Sequence, residues 1–196
     1  MTRLARASVA AGAAVAMAVA AVAQTGDMTA DESAALAAME EAIPGTLLHN
    51  PLDIQWSPGG NDLKSKVVDA AALPTGKAIQ ARTKKKQANG WDTQIMASVP
   101  EAIAEGDRVR VLYHVRTVTP PKGAEAADVA LFVGRKVEPY DSVIFHEFRP
   151  GTEWEMRQVE GVAGADFPAG SVKLEYHLGR AKQVVEIGPV YVSRMD

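Results

Sequence analysis

The pattern of apolar and polar positions divides the chain into three regions. Residues Ala7 to Val22 form an unbroken run of small and apolar side chains; it follows Arg3 and Arg6 without an acid and ends in Ala21-Val22-Ala23. A basic start, an apolar stretch and small residues at its end predict a secretory signal cleaved before Gln24. The run is short and weakly apolar for a retained span of roughly 30 Å of hydrocarbon, and no later segment predicts membrane insertion after cleavage. A second region follows a polar lead. Thr29-Ala30-Asp31-Glu32 reads as a capping box, in which the Thr29 hydroxyl and Glu32 carboxylate satisfy helix-end amides. The helix it predicts runs to about Ala42, carries Ala35, Leu36, Met39 and Ile43 as a narrow apolar stripe, and stops at Pro44-Gly45.

From Thr46 onward the period changes to two, with Gly, Pro, Asn and Asp as frequent punctuation. The predicted strands are Lys77–Thr83, Asp92–Ser98, Arg108–Val118, Asp128–Val137, Ser142–Phe148, Trp154–Gly161, Ser171–Leu178 and Gln183–Val192. The stretch from Asp53 to Leu73 is less regular: Trp56 is placed to anchor an early strand, and Pro58-Gly59-Gly60-Asn61 predicts a turn. About eight strands with almost no helix between them imply an all-β fold, a jelly-roll β-sandwich of two antiparallel sheets. The organisation expected is residues 1–23 as signal peptide, 24–45 as polar lead and short helix, and 46–196 as the sandwich. Alternation sends Val109, Val111, Tyr113, Val115, Val172, Leu174 and Tyr176 to the interior, and Arg108, Arg110, His114, Arg116, Lys173, Glu175 and His177 to the outside.

Charge and composition narrow the function. Losing residues 1–23 removes Arg3 and Arg6, which leaves 19 basic residues against 24 acids and moves the net charge from −3 to −5. Nucleic acid is therefore not expected as a partner. Lys84-Lys85-Lys86 precedes a Gln-Ala-Asn-Gly turn and reads as a solvated loop. The absence of cysteine excludes disulfides, thiol catalysis and thiolate metal sites, so stability must come from one hydrophobic core. No Gly-x-Ser-x-Gly elbow, phosphate loop or His-Glu-x-x-His occurs. Glu147 and Glu155 are acids of the kind glycoside hydrolysis uses, but nothing in their spacing places them across a cleft.

Several phrases resemble the jelly-roll carbohydrate-binding modules attached to bacterial xylanases and related glycosidases, with the galactose-binding-like fold. Asn89-Gly90-Trp91-Asp92-Thr93-Gln94-Ile95 is similar to their Asn-Pro-Trp-Asp-x-Gln-Leu strand. Glu105-Gly106-Asp107 leading into Leu112-Tyr113-His114-Val115-Arg116 is similar to their Lys-Gly-Asp turn and Phe-x-x-Arg strand. Thr152-Glu153-Trp154 resembles a Thr-x-Trp opening, and Tyr176-His177-Leu178-Gly179 with Gln183-Val184-Val185-Glu186-Ile187-Gly188 resembles the family ending. These phrases run in order from about Leu73 to Asp196, with no room for the catalytic domain that such modules accompany. The resemblance implies a secreted or periplasmic, non-catalytic carbohydrate binder that requires no cofactor. It also implies a structural calcium near the chain ends, where Asp53, Glu186 and Asp196 offer oxygen ligands.

Sugar recognition needs an aromatic plate for the apolar face of a pyranose and planar polar groups for its hydroxyls. Trp91 is the stacking candidate, and Gln94, His114, Arg116, Glu175 and His177 are grouped as polar readers on one concave sheet. The bland alternatives stay open beside these. Trp91 can instead pack under its loop, Arg116 with Glu175 can be a cross-strand ion pair, and Trp154 is expected in the core. His114, His177 and Glu175 would also make a metal set if they shared a face. The competing functional reading is an envelope or extracellular domain that binds a protein partner, with its polar strand faces filled by salt bridges and without a groove. A small glycoside-active enzyme is the third.

Overall fold

The computed structural model describes residues 41, 43–52, 55–60 and 62–195. The expected signal segment, all of the expected helix except Glu41, and the candidate calcium ligands Asp53 and Asp196 lie outside the described residues. Among the described residues no helix is long and apolar enough to cross a membrane.

Among the described residues eleven strands follow one another: β1 (Thr46–Leu47), β2 (Ser57–Gly59), β3 (Leu63–Asp69), β4 (Lys77–Thr83), β5 (Gln94–Val99), β6 (Arg108–Thr119), β7 (Val129–Arg135), β8 (Ser142–Phe148), β9 (Glu155–Val162), β10 (Val172–His177) and β11 (Gln183–Met195). They form two antiparallel sheets. One has the order β3-β4-β11-β6-β9 with β1 beside the end of β11, and the other has the order β2-β5-β10-β7-β8. This is the expected β-sandwich.

Period-two patterning dictates which faces meet. Val109, Val111, Tyr113 and Val115 of β6 are fully buried, and they join Ile95, Leu131, Val133, Leu174 and Tyr176 from the opposite sheet in one core. Each such side chain contributes ~1.5–3 kcal/mol by leaving water. Aromatic contacts tie the layers together: Tyr113 lies 5.2 Å from Phe148 and 6.1 Å from Tyr176, centroid to centroid, and Trp56 packs 6.0 Å from Tyr176. Trp56 thus anchors the early strand β2 from the core side.

Two expectations are corrected here. Trp154 is not part of the central core; it is half-buried on the outward side of the first sheet, packs against Ala70, Leu73 and Ala78, and carries the Arg116 guanidinium 4.9 Å above its ring. The strand expected to open at Asp92 begins at Gln94, because Gly90–Asp92 forms a 3-10 turn. The Asp92 carboxylate holds that turn closed by accepting the Asn89 backbone N–H at 2.9 Å.

Candidate functional site

Pairing registers lay out the outward face of the second sheet as a grid. Glu175 on β10 stands between Met96 of β5 and Phe132 of β7, and Phe132 stands beside Phe145 of β8. One row away, His177 lies between Gln94 and Ala130; two positions in the other direction, Lys173 lies between Ser98 and Gly134. The small residues Ala130 and Gly134 flank Phe132 on its strand, and the Phe132 ring lies over Gly134, where a Cβ would meet its Cζ at 2.7 Å. This face carries a groove of about 610 Å³, lined by Trp91, Gln94, Phe132, Tyr140, Phe145, Lys173, Glu175 and His177.

Trp91 is not packed beneath its loop. Its side chain is 57% exposed, at the tip of the 3-10 turn and 6.3 Å from the His177 ring. Two backbone hydrogen bonds fasten this turn to the end of β10: Leu178 N–H to Thr93 O at 2.8 Å, and Gly179 N–H to Gly90 O at 2.8 Å. Gly90 leaves room for Arg180, whose Cγ would lie 2.9 Å from a Cβ there and would have to shift to admit one. Phe145 is likewise exposed, whereas Phe132 and His177 are buried floor residues stacked at 6.0 Å.

The polar centre of the groove is Glu175, only 1% exposed. His177 Nε2 lies 3.1 Å from its Oε1, Lys173 Nζ pairs with its Oε2, and the Gln94 amide, with its nitrogen turned to these acceptors, donates to Oε1 and to the Trp91 carbonyl. Burial pushes the Glu175 carboxyl up, but the hydrogen bonds and charges of His177 and Lys173 outweigh it and hold the group below the ordinary glutamate value. Glu175 is therefore a fixed negative charge under aromatic walls. Past the end of β10, Arg180 reaches Asp128 at 2.7 Å and Glu147 at 2.5 Å.

Four of the residues grouped from the sequence, Trp91, Gln94, Glu175 and His177, meet in this groove. His114 and Arg116 do not. Both project from β6 on the outward face of the other sheet, where Arg116 pairs with Glu186 at 2.7 Å and His114 Nδ1 lies 3.4 Å from Pro189 O. Alternation distinguishes inside from outside but not one sheet's exterior from the other's. The supposed Arg116–Glu175 ion pair and the His114–His177–Glu175 metal set fail for the same reason. Among the described residues no group of three or more His, Asp or Glu side chains is arranged to hold a metal ion. Gln80 and Arg116 each reach one Glu186 oxygen at 2.8 Å, and the other two expected calcium ligands, Asp53 and Asp196, lie outside the described residues.

Lys173, Phe132, Phe145 and Tyr140 were missed as groove residues. Lys173 shares the outward parity of Glu175 and His177 and was legible as their neighbour. Phe132 and Phe145 sit in strands whose sequences are apolar on both faces, so parity marks no outward stripe there.

No family model and no curated protein matches the chain. Solved structures do resemble it. A structure described as "CBM4 structure and function" superposes with a TM-score of 0.56 at 14% identity, covering 71% of this chain and 94% of the other. The second N-terminal cellulose-binding domain of Cellulomonas fimi β-1,4-glucanase C gives 0.54 at 19% identity, over 79% of this chain and 94% of that one. The CBM22-1 xylan-binding domain of Paenibacillus barcinonensis Xyn10C gives 0.52 at 16%, over 78% and 97%. With two antiparallel sheets matched along most of its length, this chain has the jelly-roll β-sandwich fold of carbohydrate-binding modules.

Proposed function

We propose that the protein binds a carbohydrate, without catalysis, on the outward face of the β2-β5-β10-β7-β8 sheet. The observation that carries this reading is the pairing of exposed aromatic plates with a buried charge: Trp91 and Phe145 stand over a floor whose centre is the Glu175 carboxylate held by His177, Lys173 and Gln94. Aromatic faces receive the C–H face of a pyranose, and the planar groups beneath them read hydroxyls. The fold's neighbours bear the names of cellulose- and xylan-binding domains, which makes β-glucan and xylan fragments the first ligands to try. The N-terminal pattern supports secretion or a periplasmic location.

The competing protein-interaction reading expects reciprocal salt bridges and no groove. Its first half describes both sheets: Arg110 pairs with Glu160 at 2.7 Å and Arg116 with Glu186 on one, and Lys173 with Glu175 and Arg180 with Glu147 on the other. The groove on the second sheet favours the carbohydrate. A glycosidase reading gains nothing: Glu147 belongs to β8 and Glu155 to β9, in different sheets, and each is ion-paired, to Arg180 and Arg157.

Calorimetry with xylan-, glucan- and galactan-derived oligosaccharides, calcium present, tests the proposal. The expected result is heat with at least one of them and a loss of about three- to tenfold in affinity on Trp91→Ala, with little change in melting because the ring is exposed. Absence of heat from folded protein with every ligand overturns it.

A further inference from the structure

We propose that the corner of the first sheet formed by β3, β4 and the loop after β4 is a second binding surface, separate from the groove, and that it takes an acidic polysaccharide. Residues 62–87 carry seven lysines and arginines against two acids, in a chain whose net charge is −3. Ile79 and Ala81 of β4 point into the core, so Lys64 and Lys66 of β3 and Arg82 of β4 share the outward face, all three exposed. The register sets Lys64 directly opposite Arg82. Like charges in that position destabilise a sheet.

Nothing nearby offsets the repulsion. Among the described residues none of Lys64, Lys66, Arg82, Lys84 and Lys86 is ion-paired, and the acids beside them are engaged elsewhere. Asp62 is taken by Lys85 at 3.2 Å and by Gln87 Nε2 at 3.0 Å; Glu186 is taken by Arg116 at 2.7 Å and by Gln80 at 2.8 Å. Guarding an edge against further pairing accounts for lysines on β3. It does not account for Arg82, whose strand is paired on both sides, or for the three lysines that follow.

Those lysines are held in place. Lys84 N–H donates to Asp62 O at 2.9 Å, Gln87 N–H to Gly179 O at 2.7 Å, and the Thr83 hydroxyl to Leu178 O at 3.1 Å. Lys84, Lys85 and Lys86 thus cross the end of the sandwich, from β4 in the first sheet toward the Trp91 turn beside the second. The cations follow a bent path, which a flat bilayer meets on one side only and a linear polyanion can follow round. Five of the six are lysines, mobile point charges that suit carboxylates repeated along a polymer better than one fixed anion. That the polymer is a polysaccharide rests on the groove reading, since the path ends at the turn bordering the groove.

The test is calorimetry on the full chain with polygalacturonate, its methyl-esterified form, inorganic polyphosphate, and phosphatidylcholine vesicles containing phosphatidylglycerol. Polygalacturonate should bind most tightly, the esterified polymer little, and raising the salt should weaken binding by about tenfold. Lys64→Gln with Arg82→Gln should lose about three- to tenfold and melt no lower than wild type, because a repulsive pair is removed. Lys84→Gln with Lys86→Gln should lose as much. Arg108→Gln with Lys136→Gln removes the same charge from the opposite end of the sandwich and should bind as wild type. Equal losses in all three pairs mean attraction by net charge alone and overturn the surface, as does wild type that ignores polygalacturonate at low salt. Tighter binding to polyphosphate or to the vesicles overturns the choice of partner. Polygalacturonate binding without any neutral oligosaccharide binding keeps this surface and removes the groove reading; the reverse result removes this surface alone.

Discussion

A carboxylate buried as deeply as Glu175 would ordinarily bind a proton; here two cationic or hydrogen-bonding neighbours on its own strand keep it ionised. His49 shows the opposite balance. It is buried against β11, accepts the Val192 N–H through Nε2 at 3.1 Å, and burial pushes its pKa from 6.5 down to about 4, with a backbone hydrogen bond at Asn50 opposing. Between those values the unfolded chain holds a proton that the folded chain refuses. Stability should be complete above pH 6.5 and fall as pH drops through the window to about 4, by about 3 kcal/mol in total. Urea unfolding across this range measures it. His49→Gln, whose carbonyl can still accept the Val192 N–H, should flatten the slope; an equal slope in the variant contradicts the assignment.

At the scale of elements, the edge strands β8 and β9 bring the two sheets into close contact. A Cβ on Gly161 of β9 would sit 2.1 Å from Val143 O and 2.7 Å from Ile144 Cγ1 of β8. Gly161→Ala should therefore lower stability by about 1–3 kcal/mol, as overpacking against backbone does, read as a lower urea midpoint; an unchanged midpoint shows that the approach is looser than described. Strand legibility followed burial. The bounds of β4 and β8 agree with those expected from the sequence, since turn residues mark them: Pro74-Thr75-Gly76 precedes β4, and Arg149-Pro150-Gly151 follows β8. Trp56 pointed to β2, but its extent was hidden by Pro58 and Gly59, which read as a turn yet pair with β5 at the sheet edge. β3 was hidden because Leu63–Asp69 is an edge strand with lysines at 64 and 66 and an exposed Val67, so no single face buries a clean apolar row.

The whole molecule is two sheets with different exteriors. Both carry ion pairs, and that of β5, β10, β7 and β8 also holds the aromatic-walled groove. The sequence could sort β6 and β10 by parity, but sheet membership depends on long-range pairing that no local pattern encodes. Hence Glu175 and His177 were placed with Gln94 correctly and with Arg116 wrongly. Titrating the 15N-labelled protein with the tightest oligosaccharide of the panel, followed by amide chemical shifts, examines this division directly. Perturbations are predicted to concentrate around residues 91–94, 130–132, 140–145 and 173–177. Perturbations centred instead on 108–116 and 186–193, the exterior that carries His114, Arg116 and Glu186, would contradict the account.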